Sequence, residues 1–523
     1  MGIKYNLDFF NFKNNLVIGH GWLFDEKYKI RTLWLVKKSE IKDSCDRIKI
    51  RYGSFREDVF NLHQKNIKSA NSGFVMSGSF ENSIDASDKF FLEAHYADKK
   101  LNIKEINISN LLTTSPKTSF THNLISLLQR VKRSSFQNSF SKLKGYIKEY
   151  TKIKLGKIYV KNKNLNLDTI LIIDHSMGGG ANIHSDRIIR ENYKNNNQIT
   201  LSYNLNKLCF CINLNNQFFY NFENIPDLEI YLRQFKIYKI FLNNLVSFEK
   251  TKEILELILK IKNSNTAYLT FFLHDFYAVC PSYLLLDKNL KFCEIPDLSK
   301  CHKCITENEN VFPFINPIPD LVDWRSLWGS FLSQASEVIL FSEYSKILLL
   351  KAYPNINLDK KIILSPPQFS TINTLKKITI KHKKNIVIGI LGSILRHKGS
   401  LFLERLVEII KKRKIDINIK IIGSLDRYLD PNIVEVLGRY DSKNLSSLIK
   451  ESGANIFLFP SICPETYSYV ISELKAHNVP IAIFNLGAPV ERLRNYKKSI
   501  ILKSNNPNLV LNDLISFYNK IYL

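Results

Sequence analysis

The sequence predicts an α/β protein: two doubly wound, Rossmann-like units in tandem, facing each other across a cleft, behind a small β-sandwich. Three observations carry that prediction. Residues 168–341 hold unbroken apolar runs of strand length separated by helical stretches, and a second such series begins near Asn385. The first 112 residues instead show only short alternating runs broken by Gly, Asn, Asp and Ser. Two consecutive units of this kind turn the carboxyl ends of their strands toward a shared crevice, which is where ligands bind.

In the front portion, 1–112, the runs Leu16-Val17-Ile18, Leu33-Trp34-Leu35-Val36 and Phe90-Phe91-Leu92 have strand length and turn-rich flanks, without helical periodicity between them. Residues 113–165 read as a linker. Between Lys117 and Lys163 stand twelve Lys and Arg against one acid, Glu149. Leu124, Leu127, Leu128, Val131, Phe136, Phe140, Leu143 and Ile147 recur there at near-helical spacing. That pattern fits a basic amphipathic helix on an anionic membrane surface, or a solvated connector whose lysines face water. The first unit, 166–367, opens on Thr169-Ile170-Leu171-Ile172-Ile173, apolar enough to be buried on both faces. Asp174-His175-Ser176 and the glycines Gly178, Gly179 and Gly180 follow it and lead into a helix. Further core strands lie at 238–242, 268–273 and 338–341, and Ser365-Pro366-Pro367 marks a hinge. The second unit, 368–523, has core strands at 386–392, 417–422, 456–459 and 481–484, and its last helix is a candidate to cross back onto the first unit.

Hydrophobic residues make up 45% of the 523, aromatics 12% and charged residues 23%, a globular balance that excludes a mostly disordered chain. No run of 18 apolar residues is free of charge, and Met1 to Asp8 show no basic stretch leading into an apolar one. Neither a spanning helix nor a secretory signal is expected, and the chain reads as cytoplasmic. The net charge of +26 demands an anionic partner or surface: nucleic acid, phospholipid or a phosphorylated substrate. The excess peaks in one linker without a nucleic-acid-binding motif, so no nucleic acid is expected. A phosphate loop of the Gly-Lys-Ser/Thr kind and a complete dinucleotide fingerprint are both missing, which counts against P-loop phosphoryl transfer and hydride transfer. Eight cysteines are too few for a disulfide scaffold. Four of them cluster, Cys280, Cys293, Cys301 and Cys304, and the gap in Cys301-His302-Lys303-Cys304 is that of a structural zinc knuckle. Four reduced thiols in one irregular loop are the alternative.

The strongest chemical signal is the stretch from Phe459-Pro460-Ser461 through Cys463-Pro464-Glu465-Thr466-Tyr467-Ser468 to Glu473. A strand runs into a Pro-bearing loop, and a helix is expected from about Glu465. On that helix Glu465 and Glu473, eight residues apart, share nearly one face. The amides of Thr466, Tyr467 and Ser468 at its N-terminus form an anion cradle aimed at the crevice. Two carboxylates so placed can accept hydrogen bonds from two hydroxyl-bearing rings flanking a diphosphate. By spacing alone, a capping Glu and an unrelated surface Glu fit as well. Gly392-Ser393-Ile394-Leu395-Arg396-His397-Lys398-Gly399 also follows a core strand and opens a helix, which brings Arg396 and Lys398 to the crevice edge. Cations there neutralise a leaving diphosphate. His274 and Asp275 end a strand of the first unit at the same crevice, and the triglycine loop permits close backbone approach to a ligand.

These residues resemble the retaining nucleotide-sugar glycosyltransferases of the GT-B fold, family 4. The Glu465-x7-Glu473 pair after Phe459-Pro460-Ser461 is similar to their signature, and Gly487-Ala488-Pro489-Val490-Glu491-Arg492 to their Gly-Ala segment. His274-Asp275-Phe276-Tyr277-Ala278-Val279-Cys280-Pro281 resembles members from bacterial surface-polysaccharide pathways, the setting of lipopolysaccharide synthesis. The resemblance covers residues 168–523 and implies an acceptor domain followed by a donor domain. It implies that Glu465 touches donor sugar hydroxyls, that Thr466, Tyr467 and Ser468 lie near sugar and phosphate, and that Glu473 holds the nucleotide ribose. Lys398, helped by Arg396, would stabilise a diphosphate lying over Gly392 and Ser393, with Gly438 and Tyr440 beside the base. His274 would sit near the anomeric centre, and Gly178, Gly179, Gly180 and Asp275 on the acceptor side. Many members carry Arg where this chain has Ser393, so either Arg396 substitutes there or the diphosphate is held more weakly. Front-face attack, with the leaving phosphate taking the acceptor proton, needs no dedicated base, and no cofactor is required for catalysis. Tyr52-Gly53-Ser54-Phe55-Arg56-Glu57-Asp58-Val59 with Ser72-Gly73-Phe74 is similar to an accessory β domain placed ahead of such transferases.

The expected function is transfer of a sugar from a nucleotide-diphosphate donor to a lipid-linked or polysaccharide acceptor in cell-surface glycan synthesis. The expected place is the cytoplasm, with peripheral contact at the inner, anionic face of the membrane. A catalytically inactive carbohydrate- or nucleotide-binding protein and a basic nucleic-acid binder are the alternatives.

Overall fold

The computed structural model describes residues 3–38, 45–63, 66–85, 87–96, 101–106, 167–193, 196–312, 319–367, 377–378, 385–441 and 443–523. The predicted basic linker at 113–165 lies outside the described residues.

The front portion is one antiparallel sheet. Its strands are β1 (Ile3–Lys13), β2 (Leu16–Asp25), β3 (Ile30–Lys38), β4 (Cys45–Ser54), β5 (Gly73–Ser79), β6 (Lys89–Tyr96) and β7 (Leu101–Ile106). They lie in the order β1-β2-β5-β4-β3-β6-β7. Phe10 on β1 meets the ring of Phe90 on β6 edge-on at 5.5 Å, although four strands separate the two in that order. The sheet therefore curls until its ends face each other, sandwich fashion, over a core that includes Val17, Leu33, Leu35, Phe74 and Met76. Two short helices, Glu57–Leu62 and Ile67–Ala70, interrupt the strand series. The expectation of strands alone missed them because a single turn with one buried residue, Val59, leaves no periodicity to detect.

The first α/β unit is an eight-stranded sheet: β8 (Asp168–Ile173), β9 (Asn197–Asn204), β10 (Cys209–Leu214), β11 (Phe218–Phe222), β12 (Lys236–Leu242), β13 (Tyr268–Phe272), β14 (Glu337–Leu340) and β15 (Ile362–Leu364). Its order is β11-β10-β9-β8-β12-β13-β14-β15, parallel except for the antiparallel edge pair β10 and β11. Ile170 to Ile173 on β8 are all at most 1% exposed, as a strand covered on both faces requires. The chain leaves β8 for β9 on one side and later fills β12 on the other, so the switch of direction, and the crevice, lie between β8 and β12.

The second unit holds β16 (Ile386–Ile394), β17 (Ile417–Leu425), β18 (Val434–Gly438), β19 (Ile456–Phe459), β20 (Ile481–Phe484) and β21 (Ser499–Leu502). They are parallel in the order β18-β17-β16-β19-β20-β21, which places the switch between β16 and β19. Two Rossmann-like units thus face each other across a cleft, the GT-B arrangement, with an antiparallel β domain ahead of them. The last helix, Pro507–Tyr522, does not cross back to the first unit. Its apolar stripe, Val510, Leu511, Leu514, Phe517 and Tyr518, is spent in the core of its own unit, together with Phe402, Leu406 and Ile410 of the helix Ser400–Arg413.

The β domain touches both units. Toward the second, Phe55 N–H donates to the Asp426 carbonyl at 2.9 Å, and Tyr428 stacks against Phe55 and Phe60 at 5.6 and 5.0 Å. Toward the first, the Lys13 ammonium donates to the carbonyls of Leu208 (3.0 Å) and Glu223 (2.8 Å), and Lys49 pairs with Glu309. No helix among the described residues is long and apolar enough to cross a membrane.

Candidate functional site

The carboxyl ends of the two parallel sheets enclose a cavity of about 330 Å³. From the first unit it is lined by His175, Gly178, Gly180, Asn244, His274 and Asp275, and from the second by Lys398 and the loop Cys463 to Val470. The two walls touch at defined points. Thr466 Oγ1 donates to the His274 carbonyl at 2.9 Å, Tyr469 O–H reaches the Gly180 carbonyl at 3.4 Å, and Tyr467 O–H donates to the Pro367 carbonyl at 2.8 Å.

The loop after β19 is longer than the sequence implied. The helix starts at Tyr469, not near Glu465, because Ser468 has φ 96°, a backbone no helix continues through. The amides left free at its N-terminus are therefore those of Tyr469, Val470 and Ile471 rather than Thr466, Tyr467 and Ser468. Glu465 and Glu473 consequently do not share a helix face. Glu465 sits in the loop, where its carbonyl accepts Ala488 N–H at 2.9 Å and Gly487 packs beneath it. A side chain at Gly487 would come within 2.7 Å of the Glu465 nitrogen, so a glycine at φ 72° is needed to let the loop lie down. The Glu465 carboxylate pairs with the Lys398 ammonium, and both line the cleft. Burial pushes Lys398 down, but the adjacent carboxylate outweighs it and holds the ammonium above its ordinary value.

Glu473 lies elsewhere in the same unit. It accepts the Tyr440 hydroxyl at 2.8 Å, and burial raises its carboxyl above the ordinary range. It does not line the cleft cavity. In the same unit a row of glycines stands at the carboxyl ends of three adjacent strands: Gly392 (φ 113°), Gly423 (φ 146°) and Gly438 (φ 88°). Nothing comes within 4 Å of a Cβ placed at Gly438, whereas one at Gly423 would lie 1.9 Å from the Gly392 carbonyl oxygen. Ser393 and Ser424 share a hydrogen bond at 2.8 Å beside them. Gly423 and Ser424 were missed in the sequence, yet the signal was there: Gly423-Ser424 ends β17 just as Gly392-Ser393 ends β16, in register.

Arg396 departs from its expected place. Its guanidinium turns from the cleft to donate to the Tyr52 carbonyl of the β domain at 2.7 Å, and it lines a neighbouring cavity instead. The short helix Arg396–Lys398 explains this, since residues two apart on a helix point to different sides.

On the first unit, His274 is held by a relay the sequence did not disclose. Asp174, 2% exposed, accepts from Asn182 (2.8 Å), Ser185 (3.0 Å) and Asn243 (2.8 Å) through one carboxylate oxygen. Asn243 also donates to the Ala181 carbonyl at 3.0 Å, so its amide NH2 is committed and its oxygen faces His274. His274 Nε2–H donates to that oxygen at 2.8 Å, which leaves Nδ1 with its lone pair. Burial, with His184 and His175 nearby, drives His274 well below the usual histidine value, so it is neutral at physiological pH. Asn243 and Asn244 directly follow β12, the kind of position that singled out His274 after β13. Asp275 accepts from Asn244 (2.6 Å) and from Tyr277 N–H (2.8 Å), and burial raises its carboxyl. Gly178 and Gly179, at φ 79° and 96°, have open space around them, and a Cβ at Gly180 would meet the Tyr469 ring at 2.8 Å.

Among the described residues no three His, Cys, Asp or Glu side chains are grouped to hold an ion, and Cys280, Cys293, Cys301 and Cys304 are free thiols. Burial pushes Cys280 up to about 12 and Cys293 to about 11.

Several solved structures are similar to this chain. Anabaena Alr3699/HepE in complex with UDP and glucose is 14% identical, over 66% of this chain and 89% of that one, with a TM-score of 0.42. Sucrose-phosphate synthase from Thermosynechococcus elongatus is 13% identical over 67% and 90%, with a TM-score of 0.45. A glycosyltransferase from Rickettsia africae is 14% identical over 68% and 89%, with a TM-score of 0.44. No curated protein matches the chain in sequence. Residues 371–520, which include all six strands of the second unit, match the family described as Glycosyl transferases group 1, and the chain therefore carries a domain of that family on the Lys398 and Glu465 side of the cleft.

Proposed function

We propose that the chain is a retaining glycosyltransferase that moves a sugar from a nucleotide-diphosphate donor, held by the second unit, to a lipid-linked or polysaccharide acceptor held by the first. The observation that carries this reading is the Lys398–Glu465 pair on one wall of the cleft, with neutral His274 on the other. The glycine row at the ends of β16, β17 and β18 lets a nucleotide lie close to the backbone, and Glu473 with Tyr440 stands at its far end. Lys398 neutralises the charge that grows on the departing diphosphate as the sugar–oxygen bond breaks. The acceptor hydroxyl loses its proton to a leaving phosphate oxygen, so the residues supply orientation and electrostatics rather than a base. Glu465 orients the sugar hydroxyls, Asp174 through Asn243 fixes His274 in place, and burial keeps it neutral. The reading assigns no cofactor to catalysis.

A role in cell-surface glycan synthesis, at the inner face of the membrane, is supported by the +26 net charge and its concentration in 117–163. A thermal-shift screen against UDP-, GDP- and dTDP-sugars tests the core of the proposal. One nucleotide class should raise the melting temperature, since a ligand at a hundred times its Kd stabilises by about 2.7 kcal/mol. If no nucleotide sugar shifts the transition, the proposal fails.

A further inference from the structure

The reason for a β domain ahead of the two units is visible where all three parts meet. Beside the cleft lies a second cavity, of about 290 Å³, whose lining includes Arg51 from β4, Lys288 and Asn310 from the first unit, and Arg396 from the second. It shares Tyr283, Leu284 and His397 with the cleft cavity, so the two adjoin. Among the described residues neither Arg51 nor Arg396 lies within ion-pair distance of a carboxylate. Arg51 reaches only the Glu309 carbonyl at 3.3 Å, and Arg396 only the Tyr52 carbonyl. Burial, followed by the nearby Arg427, lowers Arg396 from its ordinary value; Glu309 and Asp426 oppose that shift, and Arg51 adds to it. Two guanidiniums from different domains are thus brought to one cavity whose carboxylate, Glu309, is already paired with Lys49, and Lys288, paired with Glu307 at 2.6 Å, adds a further cation at its rim. Such a gathering is unfavourable until an anion enters.

Beyond this cavity the same residues, Arg51 and Glu309, begin a groove of about 640 Å³ between the β domain and the first unit. Trp34, with Lys49 over its ring at 5.8 Å, lies along it. The cleft, the junction and the groove therefore share lining residues in sequence and form one track.

We propose that the three-domain junction is an anion subsite for the acceptor: it holds a phosphate or carboxylate group of the acceptor glycan while the reacting hydroxyl sits in the cleft. The β domain completes the site by supplying Arg51, and the glycan continues along the Trp34 groove. This inference rests on the sugar-transfer reading for its biological sense, but its test does not.

The full chain is titrated calorimetrically with inorganic phosphate and with glucuronate, each with and without saturating UDP, as wild type and as Arg51→Gln and Arg51→Lys. At least one probe should bind the UDP-saturated wild type. Arg51→Gln should weaken that binding about tenfold, the loss of one charge-assisted hydrogen bond at 1.4 kcal/mol per decade. Arg51→Lys should keep part of it, and UDP affinity should stay within about twofold in both variants. Preference for phosphate or for glucuronate tells which anion the acceptor carries. Arg51 is exposed on its strand, so an unchanged melting temperature verifies the fold. A wild type that binds neither probe, or an Arg51→Gln chain that binds both as well as wild type does, overturns the subsite. Absence of binding to UDP, GDP and dTDP alike instead counts against the sugar-transfer reading, and the arms without nucleotide still decide the subsite.

Discussion

Lys398→Met separates the catalytic from the structural role of the cleft ion pair. In the wild type the ammonium is 32% exposed and its partner carboxylate 11%, so the pair is only partly screened by water. A unit charge about 4 Å from a diphosphate oxygen, at an effective dielectric near 20, is worth about 4 kcal/mol. At about 1.4 kcal/mol per decade, its removal should lower kcat/KM for nucleotide release roughly a thousandfold. A second effect follows from the same contact. The variant leaves Glu465 largely buried without its cation, at about 1–3 kcal/mol, so the melting temperature should fall by several degrees. Adding Glu465→Gln removes the stranded charge and should restore most of the stability while leaving activity depressed. The assay is release of nucleoside diphosphate from whichever nucleotide sugar shifts the melting transition, read beside the transition itself. If Lys398→Met keeps a rate within about threefold of wild type, or if the double variant recovers activity together with stability, Lys398 only neutralises Glu465.

Three further outcomes follow from particular contacts. Gly423→Ala places a Cβ 1.9 Å from the Gly392 carbonyl oxygen at φ 146°, so denaturant unfolding should show a loss of about 3 kcal/mol, and a loss below about 1 kcal/mol would refute the close approach. Glu473→Ala should abolish nucleotide binding while Tyr440→Phe, which removes only the 2.8 Å hydrogen bond, should cost less than about tenfold; equal small losses would make Glu473 a partner of Tyr440 and nothing more. Burial, and then Arg187, lowers His184 to about 4, whereas the unfolded chain takes up that proton near 6.5. Between those values the unfolded state binds more protons, so stability falls with falling pH, by about 2 kcal/mol at pH 5 from this residue. His184→Phe, which can keep the edge-on packing against Phe272 and Phe341, should lose that slope relative to wild type, and equal slopes from pH 7 to 5 would refute the assignment.

What could be read in the sequence follows from how far each signal reaches along the chain. Ile170 to Ile173 betrays a strand because a parallel strand covered on both sides needs apolar residues without a gap. The same holds for Ile456 to Phe459 and Ile481 to Phe484, all buried. The edge pair β10 and β11 went unread although Asn215-Asn216, both at positive φ, sits at its turn. The onset of the helix at Tyr469 was beyond reach, because the loop from Pro460 to Ser468 is shaped by Gly487 beneath Glu465, some twenty residues away. Arg396 is the clearest case. Its spacing from Lys398 fitted a shared diphosphate, but its direction is set by Tyr52, far off in another domain.

That dependence on the β domain bears on how the junction beside the cleft is held. The β domain bridges both sides of the cleft, and each of its two attachments joins packing to polar contacts. Toward the second unit it is held by a backbone hydrogen bond from Phe55, by the Arg396–Tyr52 contact and by Tyr428 packed between Phe55 and Phe60, whose amide also donates to Asn71 at 2.7 Å. Toward the first it is held by Leu16 and Ile18 of β2, which join that unit's apolar core, by Lys13 beside the mostly buried Glu249, and by the exposed pair of Lys49 with Glu309. Apolar packing and backbone hydrogen bonds resist sliding, whereas an exposed ion pair such as Lys49–Glu309 is worth only about 0–1 kcal/mol. The β domain is therefore fastened to both units by packing, and the junction around Arg51 and Arg396 takes its shape from three packed parts rather than from surface ion pairs.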